Sequence, residues 1–247
     1  MLAQHLSDVM TGVRPFLQAS DYEVPVDAVS AFAIQADLLK RLAQPVGAWK
    51  VGLAPEPGKI WASPVPAAWV FDGPVTLPRG AFGVCGLELE LAFCFDRDFE
   101  DSSLPVDDAE ILSALKWVAP AIEVVSSRYQ NWPDLDERYK LADFLNNGAL
   151  IVGRKSPIAA LREVGSPVLS LWVNQRSCAK TPSGNPAGDP RTLLAPLVRQ
   201  SIDRGIPVRS GQWITTGSYS GICFAEWGAT RAHAMIEGLG EVGITLE

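Results

Sequence analysis

Hydrophobic positions along the chain change their period as the sequence is followed. Near the N-terminus Ile34, Leu38 and Leu42 recur every four residues, the spacing that stacks side chains on one helix face. Asp27 suits the N-cap, Lys40 and Arg41 fall in the last turn, and Pro45 stops the helix. Residues 1 to about 45 read as helical. From Trp49 onward, Gly and Pro punctuate short β-rich runs such as 49–53 and 68–71. The clearest strand is 87–95. Leu87, Leu89, Leu91, Phe93 and Phe95 alternate on one face, with Glu88, Glu90, Ala92 and Cys94 on the other. A helix opened by Asp107 or Asp108 follows, with Ile111, Leu112 and Leu115 as its apolar face, then a second strand at 121–125. Leu193, Leu194, Leu197, Val198 and Ile202 form the stripe of another helix over 190–204, with Pro190 in its first turn and Gly205 at its end. The C-terminal residues 231–247 return to strands. The pattern predicts an α+β fold: a helical N-terminal segment, 1–48, on a mixed, roll-like β core, 49–247, that carries the site.

The polar positions inside these strands carry the chemistry. Glu88 and Glu90 share one strand face, about 6.6 Å apart along the chain. Their companions on that face are Ala92 and Cys94, and the other face is wholly apolar, so the strand reads as buried on both sides. Glu123 repeats the pattern between Ile122 and Val124. Carboxylates in such places each cost several kcal/mol if ionised and unpaired. Protons, Lys or Arg, or a metal must neutralise them. Three oxygen ligands without His or Cys suit Mg²⁺ or Mn²⁺, leaving positions for water and substrate. An E-x-E pair alone is more often the solvated face of an amphipathic strand. Glu123 and the apolar flanks turn the reading toward a metal site.

Lys50 lies in the run WKVGL between Trp49 and Val51, where a Lys is costly unless it has an anionic partner. It is a candidate to hold a substrate carboxylate or to act as a base; the alternative is an edge-strand Lys pointing at water. In ITTGS, 214–218, hydroxyls and the N–H groups of a Gly turn can receive an anionic oxygen.

Composition narrows the class. The 247 residues are 47% hydrophobic, enough for one sizeable core, and 28 acidic against 21 basic residues give a net charge of -7. Without a cluster of Lys and Arg, a nucleic-acid partner is not expected. No apolar run is long enough to span a bilayer and the N-terminus lacks a signal-peptide pattern, so a cytoplasmic protein is expected. Cys85, Cys94, Cys178 and Cys223 have no metal-ligand spacing and read as small buried hydrophobes, unpaired in a reduced compartment. His5 and His233 read as surface residues. No nucleophile elbow, dinucleotide loop or P-loop is present.

Five segments in order resemble the fumarylacetoacetate hydrolase superfamily, most closely its 2-keto-4-pentenoate (2-hydroxypentadienoate) hydratase and oxalocrotonate decarboxylase branch. They are GAWKVGL (47–53), LELELAF (87–93), AIEVVSSRYQNW (121–132), ADFLNNG (142–148) and GQWITTGSYSG (211–221). The resemblance implies that Glu88, Glu90 and Glu123 bind Mg²⁺ or Mn²⁺, that Lys50 is catalytic and that Thr216 lies near the substrate, a small 2-oxo acid. It implies a lyase of aromatic catabolism that is at least a homodimer. Hydration, decarboxylation and C–C hydrolysis all occur in the superfamily, and a silent 2-oxo acid-binding relative is a further alternative. The family Asn and Ser of the fourth segment are Phe144 and Asn146 here, which implies a substrate pocket of altered shape. The hydratases' Asp in a P-D-x-G-like segment has no counterpart in ASPVPAAWVFDG (62–73), where Asp72 reads as a turn residue.

Overall fold

The computed structural model describes residues 2–100, 107–179 and 183–247. Two helices, α1 (Leu2–Met10) and α2 (Ala28–Leu42), precede strands β1 (Val46–Leu53), β2 (Ile60–Pro66), β3 (Val70–Asp72), β4 (Val75–Leu77) and β5 (Gly86–Phe95). Helix α3 (Asp108–Ser113), strand β6 (Leu115–Val125), helix α4 (Glu137–Ala142) and strand β7 (Asn147–Val152) come next. Strands β8 (Ser156–Pro157), β9 (Leu169–Val173) and β10 (Arg176–Ser177) lead to helix α5 (Leu194–Asp203). Strands β11 (Trp213–Thr215), β12 (Cys223–Phe224), β13 (Thr230–Ile236) and β14 (Gly240–Leu246) complete the chain.

The strands form two sheets, as the α+β expectation requires. The larger runs β2-β1-β11-β5-β6-β7-β3, with β12 added to β5 and β8 to β6; the smaller runs β10-β9-β13-β14-β4. The apolar alternation of β5 explains the packing. Leu87, Leu89, Leu91, Phe93 and Phe95 enter a main core that also takes Leu171, Ala234, Val242 and Ile244 from the smaller sheet. The opposite face of the large sheet carries small side chains, among them Ala48, Ala92, Ala119 and Ala121. That face has room for Glu88 and Glu90. The N-terminal helices pack on a separate cluster that includes Tyr129, Tyr139 and Phe144.

Local signals explain most boundaries. Asp27 caps α2 by accepting from the Ser30 amide at 2.8 Å, and Asp107 caps α3 by accepting from Glu110 N at 2.7 Å. Four expectations change. The N-terminal segment 1–48 is not helical throughout: among the described residues its α-helices are α1 and α2 alone, and β1 already begins at Val46. Residues 68–71 are not one strand: Ala67–Trp69 form a 3-10 turn before β3. Leu115 opens β6 instead of extending α3, because its chain pairs with β5 from Phe95 onward. The cysteines are not all unpaired. Cys178 and Cys223, 45 residues apart, form a disulfide, while Cys85 and Cys94 are free and buried. Among the described residues no helix is long and apolar enough to cross a membrane.

Candidate metal centre

Antiparallel pairing of β5 with β6 puts Glu88 directly opposite Glu123, and Glu90 lies two residues along the same face of β5. Carboxylate oxygens of all three lie within 4.8 Å of one another. Glu90 and Glu123 are fully buried and Glu88 partly so. The three glutamates singled out by strand period therefore form one cluster.

Lys50 joins it from β1, an interior strand flanked by β2 and β11, so the edge-strand alternative does not hold. Its Nζ donates to Glu123 Oε1 at 2.8 Å and to the Leu145 carbonyl at 3.1 Å. Asn147 Nδ2 donates to the same Glu123 oxygen at 2.9 Å, and the Gly217 amide donates to Glu90 Oε2 at 2.8 Å. Glu90 Oε1, Glu123 Oε2, Asn146 Oδ1 and Asn147 Oδ1 are buried without a hydrogen-bond donor. Burial, and after it the Glu123 charge, pushes the Glu90 carboxyl well above the usual carboxylate range. Burial pulls the Lys50 ammonium down, but the three carboxylates outweigh it and its pKa is raised. Three carboxylates thus surround one ammonium group, and acceptor oxygens remain that no protein donor reaches. A hard divalent cation is the partner such a donor set fits.

A cleft of about 410 Å³ opens at Lys50, with Asn146 and Gly217 in its wall beside apolar Val51, Trp61 and Leu145, and with Glu137 and Lys140 also lining it. Asn146 lines the cleft, and its buried Oδ1 is one of the oxygens without a donor. Phe144 does not line the cleft. It is fully buried in the N-terminal cluster, edge-on to Trp69 with ring centroids 5.8 Å apart. Phe144, Leu145 and Asn146 all take left-handed φ angles of 50°, 52° and 57°. Each such non-glycine residue costs about 1–2 kcal/mol. The anchored Phe144 and this turn put the Leu145 carbonyl on Lys50 and the Asn146 side chain in the cleft. Thr216 is buried, with its hydroxyl 3.4 Å from the Leu91 carbonyl; its neighbour Gly217 reaches the cleft. Asn147 and Leu145 were not singled out in the sequence, although both lie in the segment 142–148; Gly217 is the glycine of the ITTGS segment whose N–H groups were expected to receive an anionic oxygen, and its amide donates to Glu90.

No family model matches the chain. The 2-keto-4-pentenoate hydratase of Burkholderia vietnamiensis is 27% identical over 99% of this chain and 95% of its own. The 2-hydroxyhexa-2,4-dienoate hydratase of Comamonas testosteroni is also 27% identical, over 64% of this chain, which spans 58% of that relative's length. Among solved structures, 4-oxalocrotonate decarboxylase from Pseudomonas putida G7, complexed with magnesium and adipate, superposes with a TM-score of 0.82 at 18% identity over 98% of this chain and 95% of that one. Fumarylpyruvate hydrolase from Pseudomonas aeruginosa, in complex with Mn²⁺ and pyruvate, gives 0.57 at 19% identity over 83% and 91%. The fold is shared with these decarboxylase and hydrolase structures, and the sequence is similar to the 2-keto-4-pentenoate hydratases.

Proposed function

We propose that the chain is a divalent-metal-dependent lyase that hydrates a 2-hydroxydienoate or 2-oxo-enoate in the catabolism of aromatic compounds. The observation that carries this reading is the unbalanced acidic cluster, with two fully buried carboxylate oxygens left without donors, next to Lys50 in the wall of a cleft. Glu88, Glu90 and Glu123 would hold Mg²⁺ or Mn²⁺. Bound there, the ion would supply Lewis acidity toward the 2-oxo oxygen of the acid. The chain's own groups do the rest. Lys50 Nζ, fixed by Glu123 and the Leu145 carbonyl, donates to the substrate carboxylate. Asn146 Oδ1, an acceptor without a donor, orients a water or enol hydroxyl. Val51, Trp61 and Leu145 take the hydrocarbon tail and exclude bulk water.

The test follows the absorbance of a 2-hydroxydienoate with Mn²⁺ present. Loss of the dienoate signal that requires metal supports hydration. Full turnover after exhaustive chelation, or full metal affinity in Glu88→Gln, sinks the reading.

A second reading is decarboxylation of an oxalocrotonate-like acid, favoured by the TM-score of 0.82 with a decarboxylase. Carbon dioxide release separates it from hydration. C–C hydrolysis ranks lower, because the superfamily's water-activating His has no counterpart at this cleft. His5 packs on Tyr22 and His233 pairs with Glu241. Tight oxalate binding without turnover of any of these acids would mark a silent relative. A cytoplasmic homodimer or larger assembly is part of the same proposal. Exposed Ile222, Phe224 and Trp227 supply apolar surface for it, and light scattering on the purified chain tests it.

A further inference from the structure

We propose that a second cavity, separate from the acidic cleft, binds a small carboxylic acid with an aromatic or short apolar body. The cavity holds about 460 Å³ and shares no lining residue with the cleft at Lys50. Met10, Phe16, Trp69 and Phe82 supply apolar wall, and Arg14 and Arg128 supply its charge. No Asp or Glu lines it, in a chain whose net charge is -7. An apolar chamber of this size with convergent cations is of the kind that encloses small ligands.

The two guanidinium groups define the ligand. Arg128 is 6% exposed and lies 4.7 Å over the Trp69 ring. Its Nη1 donates to the Ser126 and Asn147 carbonyls at 2.7 and 2.6 Å, and its Nε faces Asp143 Oδ1 at 3.5 Å. Its Nη2 makes no hydrogen bond among the described residues. Arg14 has neither an ion pair nor a side-chain hydrogen bond among them. Planar guanidinium groups pair best with a carboxylate, in two parallel hydrogen bonds. The aromatic and aliphatic walls favour an apolar body behind that headgroup. A free inorganic anion would leave those walls wet, and a neutral aromatic would leave Arg14 unanswered. The chamber also touches the acidic cluster's support. The Asn147 carbonyl accepts from Arg128, and the Asn147 side chain donates to Glu123.

Isothermal titration of benzoate into the metal-free full chain tests the assignment, with benzamide and inorganic phosphate as controls. Benzoate is expected to bind one to one. Benzamide and phosphate are each expected to bind roughly ten-fold or more weakly, the cost of losing a charged hydrogen-bonded partner or the buried apolar body. Arg14→Gln is expected to weaken benzoate by a similar factor. Ala81→Trp, which fills the chamber from its exposed rim, is expected to abolish binding, while Lys50→Met retains it. Arg128 itself is left intact because it carries a buried pair. No benzoate heat at millimolar concentration overturns the proposal. So does binding that persists in Arg14→Gln and Ala81→Trp but disappears in Lys50→Met, which would assign it to the acidic cleft.

Discussion

Two groups of buried charge sit side by side along β6 and its extension, and they are resolved in opposite ways. Arg128 and Asp143 match one cation to one anion: the Arg128 amide donates to Asp143 Oδ2 at 2.8 Å, and Arg128 Nε lies 3.5 Å from Oδ1, which accepts no hydrogen bond but faces a full positive charge. Glu88, Glu90 and Glu123 bring three anions together around one Lys50 and leave acceptor oxygens open. Each group contains carboxyls that are fully buried, Glu90 and Glu123 in one and Asp143 in the other. The matched pair is a piece of architecture that ties α4 and the N-terminal cluster to the large sheet. The unmatched one is explained only by something the chain recruits. An incomplete charge balance, more than burial itself, separates a site from a brace.

Neutralising one anion of the cluster has the largest expected effect. Glu90→Gln keeps an oxygen for the Gly217 amide but removes a charge that burial and Glu123 already disfavour. Mn²⁺ affinity is expected to fall by more than about 100-fold, beyond the usual loss for a supporting residue, and turnover with it. The metal-free protein is expected to become more stable; each 1 kcal/mol gained raises the melting temperature by about 2–4 °C at this chain length. Mn²⁺ titration and a thermal melt read both. A metal-free melt that falls would mean the carboxylates stabilise the fold by themselves.

Truncating the matched pair should have the opposite sign. Arg128→Ala removes the ion pair, two carbonyl hydrogen bonds and the Trp69 contact. A loss of about 3–5 kcal/mol in urea unfolding is expected. A loss below about 1 kcal/mol would show that Asp143 and the two carbonyls find other donors.

Matching does not make the pair free of cost. Burial outweighs the Arg128 charge and raises the Asp143 carboxyl from 3.8 to about 6. The folded chain therefore holds that proton more tightly than the unfolded chain. The associated stability is fully present below about pH 4 and is lost as pH rises through about 6, roughly 3 kcal/mol for such a shift. Asp143→Asn lacks this titration, so its stability relative to the parent should rise between about pH 4 and pH 7. Unfolding curves at the two ends measure the change, and a constant difference would contradict the raised carboxyl.

What could be read from the sequence follows the same division. Glu88, Glu90 and Glu123 were legible because a period of two fixes which face a strand residue joins, and apolar neighbours on that face declare it buried; for Lys50 the sequence left an edge strand facing water equally open. Residues on irregular backbone were not. Phe144 was assigned to the substrate pocket by its place in a segment, yet three consecutive left-handed residues turn it into the core and bring Leu145 to the cleft. No periodic rule covers such a turn. The Cys178–Cys223 disulfide joins β12 of the large sheet to the residue that follows β10 of the smaller one, a connectivity that spacing does not encode. The Arg128–Asp143 pair, 15 residues apart across α4, likewise depends on tertiary placement.

Asn147 belongs to both regions at once, and it sharpens the comparison with the smallest change. Its carbonyl accepts from Arg128 at 2.6 Å, and its side chain donates to Glu123 at 2.9 Å. Asn147→Ala keeps the main-chain contact and deletes only the donor that orients Glu123. Mn²⁺ affinity should fall by roughly ten-fold, the lower end for a residue that supports a metal ligand. Stability should change little, because the backbone link to the matched pair survives and the deleted amide oxygen had no donor to lose. If the same variant instead loses several kcal/mol while Mn²⁺ affinity holds, the Asn147 side chain serves the brace and not the site. The boundary between the two regions would then lie one residue nearer to Glu123.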